Sequence, residues 1–353
     1  MNRRQFLRTA FCSSAALGLA CENRALAEGE ARLPQGAAGL DLLVLADFGS
    51  AQPPQAAVAS AMRTYVDAQQ LKPAALMMLG DNFYGRVRSG VNSSRWRKGI
   101  SEMYPKSHFP GPMWALLGNH DYHDTPGGDA MQLERARRTG TRWTMPAKWY
   151  RLDVAPHPTE LGRAETVPAG QAKDRALATL LFLDTNWPSI SGGTVKKDGV
   201  DVPRACLDKE EETAQLAWLA AQLESPRAPW TFVLGHHPVF SNGRHGDTKS
   251  LAKRLDPLLR QHKVPLYLCG HDHDLQHLEI VDHTTSFVLC GGGGARVRPA
   301  KREDRGPYFA EVHGFSHLQI AKDRLTFRHL DANAKQIHSF TRTLDGTVSV
   351  GAA

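Results

Sequence analysis

The stretch Cys269-Gly270-His271-Asp272-His273 follows a short apolar run over residues 264–268 and carries two histidines one residue apart. A short apolar run that is closed by glycine is typical of a buried strand. Imidazole is the commonest side-chain metal ligand in proteins. The sequence therefore predicts a metal site just past the end of a buried strand.

Four further clusters of ligand-type residues stand upstream, each shortly after an apolar run. They are Asp47-Phe48-Gly49, Gly80-Asp81-Asn82-Phe83-Tyr84, Gly118-Asn119-His120-Asp121 and Gly235-His236-His237-Pro238. A single aspartate after a strand is more often a turn former than a ligand, and a single tyrosine is more often a half-buried aromatic side chain. Five such strand endings in one chain favour a site, and they predict two adjacent metal ions.

The other histidines are interpreted as structural or solvated. His237 is expected to pack or hydrogen-bond locally rather than to bind a metal. A structural or solvated role is also expected for His108, His123, His157, His262 and His283.

Hydrophobic periodicity predicts an α/β fold. Apolar runs predict strands over residues 40–46, 74–79, 113–117, 179–183, 231–234 and 265–268, and helical spacing predicts helices over 55–70, 213–223 and 251–262. Further strands are expected at 314–320, 324–330 and 337–341, and the polar stretches 156–173 and 188–208 are expected to be loops. Open α/β sheets bind ligands outside the carboxyl ends of their strands, which is where all five clusters fall.

The charge balance favours an anionic substrate. The 353 residues carry a formal net charge of +7, with 22% charged and 41% apolar residues. Without residues 1–27, which hold four arginines and one glutamate, 39 basic and 35 acidic residues remain, a net charge of +4. A mild positive excess suits anions. The sequence has no long basic run, so nucleic acid is not an expected partner.

The N-terminus is typical of an export signal. Arg3-Arg4-Gln5-Phe6-Leu7 is a twin-arginine pattern, the apolar stretch 10–20 is too short for a membrane span, and Ala25-Leu26-Ala27 fits a cleavage site. We predict a signal peptide over residues 1–27, a single domain over 28–353 and export to the periplasm or medium, with no transmembrane segment. Lipid attachment at Cys21 is the less favoured alternative, because the residues before it match lipoprotein signals poorly.

Cysteine usage argues against a disulfide framework. Cleavage would leave Cys206, Cys269 and Cys290, an odd number that cannot pair completely. Cys269 and Cys290 end apolar runs and are expected to be buried. Cys206 lies in a polar stretch and is predicted to be the more reactive thiol.

The residue types in the clusters suit two different cations. A pair of adjacent ions needs a carboxylate that bridges them, and Asp81 in the central motif is the natural bridge. Asp47 and Tyr84 offer hard oxygen ligands for a highly charged ion. An amide oxygen and two imidazoles suit a softer divalent ion, and these come from Asn119, His236 and His271. His273 must turn inward beside His271.

The ordered motifs resemble those of the calcineurin-like metallophosphoesterases, and the tyrosine three residues after Asp81 resembles the purple acid phosphatases. The segments 79–84, 235–240 and 267–276 look like the small, tartrate-resistant, mammalian-type branch, and the resemblance spans residues 41–294. It implies a bacterial member with the metallophosphoesterase four-layer sandwich, two mixed β-sheets flanked by helices. The stretch 187–212 differs from the corresponding loop of that branch, so the regulation known there is not carried over.

Site roles carry over from this resemblance. It implies that Fe(III) is held by Asp47, Asp81, Tyr84 and His273, and that a divalent Fe, Zn or Mn is held by Asp81, Asn119, His236 and His271. It also implies that His120 stabilises or protonates the leaving oxygen, with Asp121 fixing its tautomer, and that His245 is a second substrate-side histidine.

The implied function is that of a monomeric acid phosphatase. A metal-bound hydroxide would attack a small phosphate monoester directly, without a phosphoenzyme, and release inorganic phosphate. A trivalent ion rationalises an acidic optimum, and its phenolate ligand would give a visible colour. Two alternatives are a phosphodiesterase on the same metal core and a non-enzymatic iron-binding or redox protein. A leaving-group acid such as His120 argues against the second.

Overall fold

The apolar runs that precede the ligand-type clusters form central strands of two eight-stranded sheets. A computed structural model describes residues 39–197, 200–299, 301 and 305–351. In the first sheet the neighbouring strands, in order, are β18 (Val348–Val350), β17 (Gln336–Thr343), β16 (Arg324–Asp331), β15 (Gly314–Ile320), β1 (Leu40–Leu45), β2 (Ala75–Leu79), β3 (Met113–Leu116) and β4 (Trp143–Thr144).

The second sheet is built from the middle of the chain. Its order is β14 (Tyr308–Ala310), β12 (Leu275–Glu279), β13 (Ser286–Cys290), β11 (Leu266–Cys269), β10 (Trp230–Leu234), β7 (Ala178–Phe182), β5 (Tyr150–Pro156) and β6 (Ala164–Thr166). A separate hairpin pairs β8 (Thr194–Lys197) with β9 (Val200–Pro203).

Both sheets are mixed. Strands β1 to β4 are parallel, whereas β15 pairs antiparallel with β1 and continues into the antiparallel ladder that ends at β18. Strands β7, β10, β11 and β13 are likewise parallel, with antiparallel neighbours on both sides. The carboxyl ends of the parallel strands therefore form the edges where ligand-type residues can collect.

The helices lie at both sides of the paired sheets. They are α1 (Pro53–Gln69), α2 (Asn119–His123), α3 (Gly128–Ala136), α4 (Ala172–Arg175), α5 (Pro188–Ser191), α6 (Lys209–Glu224), α7 (Lys249–Arg254) and α8 (Asp256–Gln261). Short 3-10 turns span Gly90–Asn92 and Ala169–Gln171, and a π-helical turn spans Trp96–Ser101. None of the helices in the described ranges is long and apolar enough to cross a membrane.

The second sheet separates two hydrophobic cores, and alternate side chains along its strands point into one core or the other. Phe182 and Leu234 belong to the core that the two sheets share, whereas Leu181 and Val233 pack in a second core with Leu219 of α6. This follows from the period of two along a strand. On the other side, Tyr65 of α1 packs edge-on against Phe315 of β15. The layers are helix, sheet, sheet and helix, which confirms the predicted fold class.

Two predicted helices differ from the structure at their boundaries. The helix predicted from residue 213 begins at Lys209, because Asp208 and Glu211 form a reciprocal capping box at its start. The helix predicted over 251–262 is two helices that break at Leu255. Pro257 has no amide hydrogen to continue the first helix.

The two polar stretches predicted to be loops contain regular structure. Residues 156–173 include β6, which pairs antiparallel with β5, and the beginning of α4. Residues 188–208 include α5 and the β8–β9 hairpin. Their short strands are largely exposed, so they lack the apolar alternation on which the prediction depended.

The described residues between 39 and 351 belong to one compact unit. The predicted signal peptide, its cleavage after Ala27 and the lipid alternative at Cys21 lie outside the described residues. The predicted domain boundary after residue 27 stays a prediction.

Candidate metal centre

The five clusters meet where carboxyl ends of strands from both sheets come together. Asp47, Asp81 and His271 each stand two residues past a strand, with φ angles of 57°, 52° and 71°. The left-handed region is uncommon for residues other than glycine, and such backbone conformations concentrate at functional sites. The strand endings therefore turn sharply at the residues that the sequence assigns to metal binding.

One group of ligand atoms comes from both sheets. The Tyr84 hydroxyl donates to Asp47 Oδ1 over 3.1 Å and lies 3.3 Å from His273 Nε2. His273 Nε2 lies 3.6 Å from Asp47 Oδ1. Ligand atoms of Asp47, Asp81 and His273 all lie within 4.8 Å of one another. These four residues could hold one ion.

A second group lies on the other side of Asp81. His236 Nε2 is 3.4 Å from Asp81 Oδ1, and His271 Nδ1 is 3.0 Å from Asn119 Oδ1. The ring centroids of His236 and His271 are 5.2 Å apart. Asp81 thus takes part in both groups, as a bridging carboxylate would.

Backbone groups orient the imidazoles. His236 Nδ1 is hydrogen-bonded to the Leu79 carbonyl over 2.9 Å, and His273 Nδ1 to the Arg296 carbonyl over 2.7 Å. Each Nε2 is thereby left as the ligand atom, which is how proteins commonly orient metal-binding histidines. The buried Nε2 of His236 has no hydrogen-bond partner among the described residues. A cation at this position would satisfy it.

The electrostatics also fit cations. Burial and the neighbouring Asp81 raise the pKa of Asp47 well above its usual value. Burial would raise the pKa of Asp81 too, but His236 and His120 outweigh it and lower that pKa. Burial lowers the pKa of His236 and lowers that of His273 to about 4. Neutral imidazoles are the ligand form, and a cation between the buried Asp47 and Asp81 would favour the ionised form of both, so the donor set fits a pair of metal ions.

Two glycines keep the backbone close to the carboxylates. A Cβ atom at Gly118 would overlap the backbone nitrogen and Oδ1 of Asp81, and one at Gly270 would overlap Oδ2 of Asp47. These glycines precede Asn119 and His271 in the sequence. The GNH and GHxH motifs therefore need glycine for close packing against these two carboxylates.

His237 hydrogen-bonds locally, as predicted. Its Nδ1 lies 2.9 Å from Thr185 Oγ1 and its Nε2 lies 3.4 Å from Ser191 Oγ. A ring nitrogen of His237 is close to nitrogens of His236 and His271. However, both ring nitrogens of His237 already have a hydroxyl group as hydrogen-bond partner. Among the other histidines, His123 is hydrogen-bonded to the Ser191 carbonyl and His283 to Asp256, in agreement with a structural role.

The partner of His120 is Asp124, not Asp121, which corrects the prediction. His120 Nδ1 lies 2.9 Å from Asp124 Oδ2, and the two residues are one turn apart at i and i+4. Residues at i and i+1 do not share a face of a helix. Burial would lower the pKa of His120, but the hydrogen bond to Asp124 and the charge of Asp81 raise it. The i,i+4 spacing was a signal that could have identified Asp124.

Asp121 holds the surrounding loops together. It is buried, and its carboxylate accepts hydrogen bonds from the backbone nitrogens of Asn82, Phe83 and Gly118 at 2.9–3.1 Å and from Gln132 Nε2 at 2.8 Å. It therefore links the loop after β2, which carries Asp81, to the loop after β3, which carries Asn119. Its contacts support the site without reaching the His120 ring.

His245 lies beside the second group of ligands. Its ring centroid is 4.3 Å from that of His271, and its Nδ1 is 2.7 Å from Asp272 Oδ1. Arg298 Nη1 approaches His245 Nε2 at 3.4 Å. The sequence reasoning missed both Asp272 and Arg298, because loop closure brings them to His245 from other parts of the chain.

The three cysteines within the described ranges are unpaired. Cys269 and Cys290 are buried, as predicted, whereas Cys206 is partly exposed. Burial and Asp184 raise the pKa of Cys206, which disfavours the reactive thiolate form. Its accessibility alone does not make it a redox centre.

Comparison with known proteins identifies the family. Residues 40–275 match the sequence profile described as calcineurin-like phosphoesterase. The chain belongs to the calcineurin-like phosphoesterase family. This confirms the resemblance read from the strand-end motifs. The prediction of a hydrolase is confirmed at the level of this metallophosphoesterase family.

Relatives with named activities cover most of the chain. Human tartrate-resistant acid phosphatase type 5 is 29% identical over 273 residues, 74% of this chain and 77% of the relative. Purple acid phosphatase 7 of Arabidopsis thaliana is 29% identical over 306 residues, 85% of this chain and 84% of the relative. These homologues are acid phosphatases.

Solved structures share the fold at lower identity. The protein titled GAP50, the anchor in the inner membrane complex of Plasmodium, superposes with a TM-score of 0.67 at 21% identity, covering 86% of this chain and 88% of the other. A purple acid phosphatase from yellow lupin seeds gives a TM-score of 0.60 at 16% identity and covers 88% of this chain and 55% of the other. At these identities the likeness concerns the fold alone.

Proposed function

We propose that this protein is an acid phosphatase that hydrolyses small phosphate monoesters at a binuclear metal centre and releases inorganic phosphate. The observation that carries the proposal is the position of Asp81. It lies within 4.8 Å of the ligand atoms of Asp47 and His273, and 3.4 Å from His236 on the other side. Two substrate-side histidines, each with a carboxylate partner, stand beside this pair of groups.

The ligand types support the proposed metals. The oxygen-rich group would hold Fe(III), and it comprises Asp47, Asp81, Tyr84 and His273. The nitrogen-rich group would hold a divalent Fe, Zn or Mn, and it comprises Asp81, Asn119, His236 and His271. When bound, such a pair of cations neutralises phosphate charge and activates a water molecule for direct attack on phosphorus.

The remaining residues are assigned to binding the substrate and moving its proton. Because His120 Nδ1 is engaged by Asp124, its Nε2 is the nitrogen available to protonate the leaving oxygen. Arg298 Nη1 donates toward His245 Nε2 over 3.4 Å, so its guanidinium group is held beside His245, where its remaining donors could bind a phosphate oxygen. An iron-binding protein without catalytic activity would need neither arrangement.

Substrate preference and metal content test the proposal together. Metal-loaded protein should hydrolyse 4-nitrophenyl phosphate at least about tenfold more efficiently than bis(4-nitrophenyl) phosphate, measured as kcat/KM across pH. His120→Ala should lower turnover while the metal content stays near that of the wild type. Preference for the diester would favour the phosphodiesterase alternative, and a protein with both metals but no hydrolysis of either ester would contradict the enzyme assignment.

Export is a separate part of the proposal. Arg3-Arg4 followed by an apolar stretch and Ala25-Leu26-Ala27 supports the twin-arginine route, with removal of residues 1–27. Replacing both arginines with lysine should retain the full-length chain in the cytoplasm, as measured by cell fractionation and mass spectrometry of the N-terminus. Unchanged export of the double variant would count against this route.

A further inference from the structure

We propose that Asp272 is a positioning residue that holds His245 against the substrate, and this inference rests on the proposed phosphatase function. Asp272 is the central residue of the segment His271-Asp272-His273, between two residues assigned to metal binding. Its own side chain is not part of either ligand group. It is directed to a different element, the loop that follows β10.

The carboxylate of Asp272 binds His245 twice. Asp272 Oδ1 accepts hydrogen bonds from His245 Nδ1 at 2.7 Å and from the His245 backbone nitrogen at 3.0 Å. The side chain of Asp272 is 1% exposed, whereas that of His245 is 37% exposed. A buried carboxylate thus fixes one edge of a ring that is itself partly exposed to solvent. This is the relation expected of an orienting residue and the histidine it orients.

The second oxygen of Asp272 is held from the same loop. Ser241 Oγ donates to Asp272 Oδ2 over 2.5 Å and accepts from the backbone nitrogen of Gly243 at 2.8 Å and from Gln276 Nε2 at 3.1 Å. The hydroxyl group has one donor and two acceptor sites, and all three are used. Asp272 therefore cannot rotate without breaking this network.

The loop backbone closes tightly over the carboxylate. A Cβ atom at Gly243 would overlap the Asp272 carboxylate. The turn that carries Asp272 is itself fixed, because the Asp272 backbone nitrogen donates to the Gly270 carbonyl over 3.0 Å. The position of His245 is consequently tied to the same turn that presents His271 and His273. One residue thus couples the geometry of the metal ligands to that of a substrate contact.

A double-mutant cycle tests this coupling. Asp272→Asn keeps the size of the side chain and removes its charge, so it should lower kcat/KM for 4-nitrophenyl phosphate by about tenfold or more. In a His245→Ala background the same substitution should change kcat/KM by less than about twofold, because its effect acts through the ring that is already missing. Equal losses in both backgrounds would overturn the proposal, since a merely structural aspartate would act independently of His245.

Asp274→Asn provides the matched control. Asp274 is also buried, stands two residues further along the same loop and accepts from Gln276 Nε2 at 2.8 Å. Its hydrogen bond is made with Gln276 and not with His245, so its substitution should leave kcat/KM within about twofold of the wild type. Metal content and far-UV circular dichroism of all variants would show whether each one is folded and loaded. A loss for Asp274→Asn equal to that for Asp272→Asn would contradict the specific role of Asp272.

A spectroscopic arm does not depend on activity. In protein loaded with diamagnetic zinc, long-range proton–nitrogen spectra of labelled histidine should show a proton on His245 Nδ1 in the wild type and in Asp274→Asn, with its signal lost or shifted in Asp272→Asn. A wild-type protein that hydrolyses no monoester but shows this pattern would refute the phosphatase function and retain the positioning role. The absence of a proton on Nδ1 in the wild type would refute the positioning role alone.

Discussion

His236 Nε2 lies 3.4 Å from Asp81 Oδ1, although the two residues follow strands of different sheets. Asp81 comes after β2 in the first sheet and His236 after β10 in the second. The candidate centre is therefore formed by the packing of the two sheets and not by either sheet alone. The metal ions, when present, would be expected to link the two halves of the fold.

This arrangement predicts different metal losses for two substitutions. Asp81→Asn removes charge from the residue shared by both groups, so it should reduce occupancy of both positions and lower kcat by a factor on the order of a hundred or more. Asn119→Ala removes a ligand from the second group only and should mainly reduce the divalent metal. Elemental analysis of the purified variants measures both effects. Loss of a single metal in Asp81→Asn would argue against the shared carboxylate.

Two neighbouring aspartates should behave differently. Asp124→Asn removes the charge of the half-buried partner of His120 and should lower kcat by about tenfold, with metal content and thermal stability nearly unchanged. Asp121→Asn disturbs a buried carboxylate that accepts from three backbone nitrogens, so it should lower thermal stability and metal occupancy. Melting temperatures and steady-state kinetics distinguish them. The reverse pattern would restore the original assignment of Asp121 as the orienting residue.

The parts of the site that follow strand endings could be predicted from the sequence. Five of the apolar runs end beside ligand-type residues, and the packing of an α/β sheet brings such ends to one edge. The orienting residues could not be found in this way. Asp124 depends on the pitch of a five-residue helix, and Asp272 depends on how the loop after β10 folds back over β11.

The errors in the fold have a similar origin. Two strand pairs were missed, and in each the partner is the next strand along the chain: β5 with β6, and β8 with β9. The short strands β6, β8 and β9 are too exposed to show an apolar pattern. The break between α7 and α8 could have been predicted, because Pro257 stands inside the apolar spacing that suggested one helix. The central strands, which are short but buried on both faces and therefore form continuous apolar runs, were the easiest elements to recognise.

Acid should weaken the packing between the two sheets. His329 and His338 are buried, and burial with neighbouring histidines lowers their pKa values to about 3 and about 4. His338 Nε2 lies 3.0 Å from His277 Nδ1, and His277 Nε2 lies 2.7 Å from Glu279 Oε1. These two histidines take up protons near pH 6.5 in the unfolded chain but only near pH 3–4 in the folded chain. Their contribution to the free energy of unfolding is therefore fully present above pH 6.5 and is lost as the pH falls toward 4.

Urea unfolding of the metal-free protein at several pH values measures this effect. The free energy of unfolding of the wild type should fall by an amount on the order of a few kcal/mol between pH 6.5 and pH 4. His338→Asn cannot take up the proton, so its free energy of unfolding should vary less over the same range. Identical pH profiles for the two proteins would show that His338 does not contribute.

Arg298 should contribute to substrate binding. It lies beside His245 and has no carboxylate partner among the described residues, so its charge is available to a phosphate group. Arg298→Gln should raise KM for 4-nitrophenyl phosphate by about three- to tenfold with a smaller change in kcat, and the effect should diminish at high salt. Arg244→Gln is the control, since Arg244 is exposed and adjacent to His245 in sequence. Equal effects of the two substitutions would indicate that both arginines act through the general electrostatic potential of the protein and that Arg298 makes no specific contact with the phosphate group.

Metal analysis combined with a visible spectrum of the purified protein, before and after Tyr84→Phe, tests the central claim most directly. Tyr84 Oη lies 3.1 Å from Asp47 Oδ1 and 3.3 Å from His273 Nε2, where it would be a phenolate ligand of Fe(III). The account predicts two metal ions per chain, at least one of them iron, and a visible charge-transfer band that disappears in Tyr84→Phe. An active wild-type protein with a single metal ion, or with a visible band that survives this substitution, would contradict it.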